Sequence, residues 1–324
     1  MNAEILAEWF RAQGHRVVRT ESSYWCDQGF RVYQAFPYHW VITPSERELS
    51  RFMLRAGAIG ARYSTPLDTP QGSVSYHCIY DGGCYDLVDL PRRARGAVRK
   101  GLRNASVEQI SLETLADEGW RLRLETMQRQ ERVNSEKESA WKRMCLAARD
   151  LPGFEAWGCF CRGQLAAALL AVTCDDCYTL LCQQSATEHL NSGVNNVLAY
   201  VVTHEAANRD GICQVFYGLE SLNASQEVDV FKARMGYCTK LLRQRVVFHP
   251  GLKPFVDLLG QGVVTQLTKR YPNNTTFSRI NGMLRFYENG KLPMEQQSYP
   301  PVVADKLAER EPEMDEVEAV AEPA

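Results

Sequence analysis

Apolar and polar positions change period several times along the chain, and each change predicts a new element. The first clear helical spacing lies in residues 43–56, where apolar side chains recur every three or four positions: Leu49, Phe52, Met53 and Ala56. Thr43 can cap this helix, Pro44 suits its first position, and Glu46 closes a capping box. We therefore expect the helix to begin at Thr43 and Pro44.

Shorter runs rich in aromatic and β-branched residues predict five strands in the first 90 residues: 31–38, 39–42, 62–67, 73–80 and 85–90. Asp81-Gly82-Gly83 is expected to turn a hairpin between the last two strands. A short opening helix around Leu6 and Phe10 precedes them.

After a basic helix, the middle of the chain has a clearer pattern of helix, helix, three strands, helix, strand, helix and strand. The predicted helices are 91–103, 112–130, 136–149, 194–209 and 226–235. The predicted strands are 154–161, 164–173, 178–184, 212–218 and 240–248, and we expect them to share one mixed sheet. Residues 251–292 add a helical piece and one short strand at 283–287.

The length of 324 residues indicates about two domains. We divide the chain into an N-terminal α/β region (1–90), a main domain (91–250), a helical appendage (251–300) and an acidic tail (301–324). From Asp305 to Ala324 there are eight acids, two bases and few large apolar residues. Such a composition predicts disorder for the tail.

Composition excludes several classes of protein. The chain has 37 basic and 39 acidic residues and is 45% hydrophobic, which is ordinary for a soluble globular protein. Its longest apolar run, near residues 165–172, is far shorter than the ~20 residues of a membrane span. Eleven cysteines, an odd number without an export signal, indicate reduced thiols and a cytoplasmic location. The near-neutral charge argues against DNA as a partner.

Metal binding is not expected, although Cys174 and Cys177 have the spacing of metal ligands. A closed zinc site needs a second pair or histidines. Cys159 and Cys161 fall on one strand, and the six histidines form no H-x-x-x-H pair. Buried free cysteines are the simpler interpretation.

The first candidate for chemistry is the β-loop-α segment that leads from strand 178–184 into Asn191–Asn196. The first N–H groups of a helix are unpaired and bind phosphates well. Asn and Ser also cap helices without any ligand, so spacing alone leaves both interpretations open.

The second candidate is Phe231-Lys232 followed by Gly236. Alone, Lys232 would be an ordinary surface lysine. However, three strands, a glycine loop, a long helix, a strand and a helix carrying F-K-x-x-x-G resemble the GNAT acyltransferase superfamily. The resemblance is narrower to its Fem-type branch, which comprises peptidoglycan bridge-forming aminoacyltransferases and acetyltransferase-like relatives. It covers about residues 91–248 and implies an α+β fold with a mixed, V-splayed central sheet flanked by helices, and here a truncated N-terminal GNAT-like half.

The resemblance also implies site residues. Acetyl-CoA or another acyl-CoA would be the donor, without a metal, at Gln183, His189, Asn191, Ser192, Gly193, Val194, Asn195 and Asn196. Lys232 would stabilise the developing oxyanion and Glu220 would accept a proton. For Glu220, a plain turn carboxylate is an equal alternative. Tyr217 is a substrate-binding residue that could protonate a thiolate, although tyrosines beside strands commonly belong to the core.

The basic helix 91–103 is the third candidate. Arg95, Arg99 and Arg103 could bind an anion, such as coenzyme A phosphates, a nucleotide-sugar diphosphate or a tRNA end; a solvated face is the plainer interpretation. Three functions follow: transfer of an acyl group from acyl-CoA to an unidentified amine, the same reaction from aminoacyl-tRNA, or a non-catalytic GNAT-like module that binds a ligand or partner.

Overall fold

The computed structural model describes residues 3–131, 136–222, 226–258 and 275–308. Its strands are β1 (Val17–Arg19), β2 (Tyr24–Asp27), β3 (Val32–Phe36), β4 (Gly60–Thr65), β5 (Ser73–Tyr80), β6 (Ala105–Ile110), β7 (Phe154–Cys161), β8 (Gln164–Cys174), β9 (Cys177–Ser185), β10 (Gln214–Leu219) and β11 (Cys238–Phe248). Its helices are α1 (Ala3–Ala12), α2 (Glu46–Ala56), α3 (Arg92–Asn104), α4 (Leu112–Arg129), α5 (Glu138–Leu146), α6 (Val194–Ala207), α7 (Gln226–Arg234) and α8 (Thr275–Asn289). Residues 253–258 and 301–308 are also helical.

The described strands form one mixed sheet of 11 strands in the order β1-β2-β3-β4-β11-β5-β10-β9-β8-β7-β6. Most neighbours are antiparallel, but β3 pairs with β4 and β9 with β10 in parallel. Each parallel pair is joined through a helix, α2 in the first case and α6 in the second. The predicted class, an α+β fold with a large open mixed sheet flanked by helices, is confirmed.

The two central strands are exchanged between the two halves of the sheet. β5 follows β4 in the chain but separates β11 from β10, whereas β11 follows β10 but separates β4 from β5. The expected single sheet of residues 154–248 therefore exists with β5 inserted into it. β5 brings residues from the first 90 positions to the edge of β10.

Neighbouring residues of β5 point to opposite sides of the sheet. Tyr76 and Cys78 lie in the core with α3 and α6, and we call this side the α6 face. On the other side, which we call the α8 face, Asn289 of α8 donates a hydrogen bond to Ser73. α8 covers this face mainly over β11.

Helices α3 and α6 pack very closely on the α6 face. A Cβ on Gly101 would lie 2.6 Å from Cβ of Val197 and 2.8 Å from the carbonyl oxygen of Gly193. Glycine at position 101 is therefore required by helix packing, which fixes α3 beside the start of α6.

Several local predictions are wrong. Residues 85–90 form no strand; Leu87–Asp89 is a 3₁₀ turn in which Asp86 and Asp89 make a capping box, so the predicted hairpin is absent there. α2 is capped by Ser45 rather than Thr43, because the Ser45 hydroxyl accepts the Glu48 amide hydrogen. Residues 39–42 are irregular, and 283–287 belong to α8.

Strand β6 was not predicted. It pairs antiparallel with β7 at the sheet edge. The division of the chain into four domains stays a prediction, and the tail residues 309–324 lie outside the described residues. Within the described ranges, no helix combines the length and apolarity needed to cross a bilayer.

Candidate functional site

Strands β9 and β10 part near the beginning of α6. Their parallel pairing runs only from Cys177 to Thr179 on β9, while β9 itself continues to Ser185. A register shift in β10 between Phe216 and Gly218 accompanies the parting. Beyond the last paired residues, the two strands are no longer joined by backbone hydrogen bonds, as the V-splayed sheet requires.

Polar side chains bridge this gap. The Tyr217 hydroxyl donates to Oε1 of Gln183 at 2.7 Å, and Nε2 of Gln183 donates to the carbonyl oxygen of Asn195 at 3.2 Å. Burial raises the pKa of Tyr217, which keeps its hydroxyl protonated. The structure thus brings together three predicted residues, Gln183, Asn195 and Tyr217, at the mouth of the gap.

Gly193 begins α6 with a left-handed backbone, φ 82°. It has no side chain to cap the helix, so the first N–H groups of α6 depend on other partners. A Cβ here would lie 2.6 Å from the carbonyl oxygen of Ala97 in α3. Packing against α3 by itself requires glycine at this position.

The remaining predicted loop residues are spread around the start of α6. Val194 is fully buried in the core and offers only its backbone. Asn196 donates to Sδ of Met235 at 3.4 Å, and Nε2 of His189 lies 3.4 Å from Oε1 of Glu188. Asn191 is exposed and Ser192 half-buried.

Lys232 is a buried lysine, with 7% of its surface exposed. Its Nζ lies 3.8 Å from Oδ1 of Asp229 and 5.4 Å from the ring centroid of Tyr217. A Cβ on Gly218 would meet the same Nζ at 3.9 Å. The ammonium therefore faces the end of β10 on the α6 face.

Glu220 follows β10 and is also buried, with 8% exposed. Its Oε2 accepts a hydrogen bond from the Ser75 hydroxyl at 2.8 Å, and its amide donates to the carbonyl oxygen of Tyr76. Burial raises the pKa of Glu220, although Ser75 and two arginines, Arg62 and Arg285, act in the opposite direction. This carboxyl is held against β5 and is not a solvated turn residue.

The two charged candidates lie on opposite sides of one strand end. Glu220 contacts Ser75, on the α8 face, whereas Asp229, the partner of Lys232, lies beside Tyr76 on the α6 face. Gly218, which Lys232 approaches, is two residues before Glu220. A reaction at the end of β10 could therefore use both the Lys232 ammonium and the Glu220 carboxyl.

The basic helix is exposed beside this region. Arg99 and Arg103 point into solvent, and Arg95 is half-buried, with a long 3.5 Å contact to the carbonyl oxygen of Val88. No acid among the described residues lies within ion-pair distance of the six cations of α3: Arg92, Arg93, Arg95, Arg99, Lys100 and Arg103. These cations are therefore available to bind an anion.

Comparison with sequences finds no matching family model and no matching curated protein. Comparison with solved structures finds similar folds at low identity. A domain assigned to the C-terminal part of a lysylphosphatidylglycerol synthetase from Agrobacterium fabrum has a TM-score of 0.54 and 13% identity, covering 79% of this chain and 90% of that one. FemX has a TM-score of 0.53 and 11% identity, covering 78% of this chain and 92% of that one.

L-PGS from Bacillus licheniformis is similar to the same degree, with a TM-score of 0.51 and 10% identity over 83% of this chain and 97% of that one. These three structures share the fold of this chain, a large open mixed sheet flanked by helices. At these identities the likeness concerns the fold and leaves the Fem-type branch unresolved.

Sequence reasoning missed four residues of the candidate site: Arg62, Ser75, Asp229 and Arg285. Arg62, Ser75 and Arg285 reach Glu220 only because β4, β5 and α8 meet there, whereas Asp229 lies three residues before Lys232 on α7. Arg62 carried a usable signal, since an arginine inside a strand, between Ala61 and Tyr63, is unusual unless it is functional or paired. Asp229 also carried a signal, because it precedes Lys232 by three residues on the predicted helix 226–235. Ser75 carried none.

The cysteines form no visible metal centre. In the part of the chain that the structure describes, no three His, Cys, Asp or Glu side chains are grouped closely enough to hold a metal ion. Cys174 and Cys177 face each other at the β8–β9 hairpin, and burial raises the pKa of each thiol to about 12. Both are therefore protonated at neutral pH.

Proposed function

We propose that this protein is an N-acyltransferase that moves an acyl group from acyl-CoA to an amine. The observation that carries the proposal is the placement of Lys232 and Glu220, both buried, on opposite sides of the β10 end where β9 and β10 part. An ammonium on one side and a carboxyl of raised pKa on the other are the two charged groups that amide formation can use.

In the proposed reaction the donor lies on the α6 face, near the start of α6 and the Gln183–Asn195 pair. Glu220 takes a proton from the acceptor ammonium, and the neutral amine attacks the acyl carbonyl carbon. Lys232 stabilises the negative charge that develops on the carbonyl oxygen. As the N–C bond forms, the C–S bond breaks, and the Tyr217 hydroxyl can protonate the leaving thiolate. The proton that the attacking nitrogen then loses restores the tyrosine.

A second donor, aminoacyl-tRNA, is favoured by one specific observation. The six cations of α3 lack acidic partners among the described residues, and α3 packs directly against α6. Such a surface attracts a polyanion through its phosphates. With this donor the roles of Lys232 and Glu220 are unchanged, but an oxygen ester breaks in place of a thioester.

The test is donor binding followed by transfer. Purified full-length chain is incubated with acyl-CoA esters, with coenzyme A alone, or with charged tRNA, and thermal shift and native mass spectrometry report binding. A mixed amine panel and mass detection of new amides then report turnover. We expect acyl-CoA to bind and to support amide formation.

Binding of charged tRNA alone would move the proposal to the second donor. If neither donor binds, the protein is a non-catalytic module and the acyltransferase proposal fails.

A further inference from the structure

Arg62 presents a buried charge that no carboxylate of the described residues contacts directly. It lies on β4 with 6% of its surface exposed, and its Nη2 donates to the carbonyl oxygen of Glu220 at 2.7 Å. Its Nε–H has no hydrogen-bond partner, and no carboxylate of the described residues lies within ion-pair distance. Burial lowers the pKa of Arg62 to about 10, so the group is still charged at neutral pH. The Glu220 carboxyl offsets this charge only at longer range, and a buried guanidinium without a contacting anion is costly.

A second guanidinium stands at the entrance to the same place. Arg285 of α8 is 57% exposed, and its Nη2 lies 4.0 Å from Oε1 of Glu220. The guanidinium carbons of Arg62 and Arg285 lie 4.8 and 5.4 Å from the ring centroid of Phe286. Two cations thus surround one carboxyl, whose pKa is itself raised. The cluster has an excess of positive charge beside the proposed base.

We infer that Arg62 and Arg285 bind an anionic group of the acceptor, so that the acceptor is a small molecule carrying a carboxylate close to its amine, such as a free α-amino acid. This inference rests on the proposed function and names the substrate class of the same site. The three charged groups lie on the α8 face, opposite the side of Lys232 and α6.

The chemistry of the cluster fits an α-amino acid. A planar guanidinium pairs well with a carboxylate, and Arg285 is open enough to bind one from solvent. The ammonium of the same molecule, two bonds away from the carboxyl carbon, is attracted to Glu220. Glu220 accepts one proton, and the neutral amine can then attack the donor carbonyl. A simple alkylamine would bring no carboxylate to the two guanidinium groups.

The experiment compares matched acceptors on the full-length protein. Three mixtures are used: the common α-amino acids, their α-amides and the corresponding decarboxylated amines; phosphoethanolamine is a separate arm. Thermal shift without donor measures binding, and mass spectrometry with the active donor measures acylation. We expect amino acids to exceed amides and amines by about 10- to 100-fold in kcat/KM, the effect of one charged hydrogen bond.

Variants of α8 localise the effect. Arg285→Ala is expected to raise KM for amino acids about 10-fold, with little change for amides. Arg285→Lys should recover part of the loss. Arg279→Ala removes another exposed arginine of the same helix and serves as the control. Arg62→Lys, checked for its melting temperature, tests the buried member.

Each possible result either supports the inference or overturns it. Equal use of amino acids and amides, or unchanged selectivity in Arg285→Ala, overturns it while leaving acyl transfer intact. Preference for phosphoethanolamine also overturns it and assigns the site to phosphates. If no amine is acylated, the proposed function fails, and donor-free binding decides this site: selective stabilisation by amino acids that Arg285→Ala abolishes supports it, and its absence overturns it.

Discussion

The sheet contains two β-α-β units of the same design, β3-α2-β4 and β9-α6-β10. In each, the parallel strands pair over three residues, and the helix crosses between them. They differ where the helix begins. Ser45 caps α2 by accepting the Glu48 amide hydrogen at 3.1 Å, and the Glu48 carboxylate accepts hydrogen bonds from Ser22. α6 begins at Gly193, which offers no cap.

The strands also differ beyond their pairing. β3 ends two residues after its last paired position, and aromatic side chains form the core of this unit, with the rings of Trp25 and Phe52 stacked at 4.7 Å. β9 continues for six residues and presents Gln183 toward Tyr217. One architecture therefore gives a closed unit and an open one. The closed unit serves the structure, and the open unit holds the polar groups proposed for catalysis.

The strongest test of this division is removal of residues 1–90. If the first unit were only an appendage, the remainder would fold. We expect no cooperative unfolding transition, because β11 would lose both of its neighbours, β4 and β5. Circular dichroism and thermal melting of the truncated and full chains provide the comparison. A truncated chain with a sharp transition would contradict the exchanged sheet.

Lys232→Ala tests the open unit directly. Loss of one electrostatic contact in a site of this kind typically lowers turnover about 100- to 1000-fold. Donor affinity should change far less, because the charge is needed mainly in the transition state. Arg234→Ala, an exposed position on the same helix α7, is the control. Turnover of Lys232→Ala equal to that of Arg234→Ala would return the lysine to a packing role.

Glu220 predicts a pH dependence. The carboxylate is the active form, and burial places its pKa above the ordinary value of 4.5. Turnover should therefore fall as pH drops through this raised pKa and level off above it. Glu220→Gln should lower the plateau about 100-fold and remove the acid limb. A profile of kcat/KM identical in the two proteins would exclude Glu220 as the base.

Gly101→Ala should damage the helix pair that frames the open unit. Its Cβ would overlap Val197, and overpacking of this kind costs about 1–3 kcal/mol of unfolding free energy. Gly96→Ala, on the same helix with open space around it, is the control and should be neutral or stabilising. Denaturant melts of the two variants measure this difference in unfolding free energy. Equal stability of the two variants would show that α3 and α6 are less tightly joined than described.

The smallest effect distinguishes the two helix starts. Ser45→Ala removes a cap and should cost about 1 kcal/mol of stability without altering turnover. Ser192→Ala, just before α6, should leave stability nearly unchanged and, if the donor contacts this loop, weaken donor binding. Thermal melts and donor titrations of both variants are sufficient. The reverse pattern would remove the distinction between a capped and an open helix.

Local pattern was enough to predict most of the elements of the second half, because residues 154–248 alternate clearly between strand and helix periods. It failed at the turn before α3, where a strand was predicted, and at the edge of the sheet, where a strand was missed. Asp86 and Pro91 favour a turn before α3 over a strand, and β6, with Glu108 and Gln109 on a sheet edge, has only a short apolar face, Ala105 and Val107.

The candidate site was also predicted only in part, but the reason is different. Lys232 belongs to the F-K-x-x-x-G motif and Glu220 comes just after the predicted strand 212–218, so both could be chosen from the sequence. Arg62, Ser75 and Arg285 reach Glu220 only through the sheet order and through α8. No spacing in the sequence shows that β5 lies between β10 and β11, since pairing of distant strands depends on the whole sheet.

The exchange of β5 and β11 has a consequence for synthesis on the ribosome. β4 and β5 leave the exit tunnel early, yet both must pair with β11, which ends at residue 248. Until then the nascent chain holds two strands with open edges, the condition in which sheets aggregate. Contacts so distant in sequence also give a high contact order and slow folding. We therefore expect newly made protein to depend on chaperones until the second half has emerged.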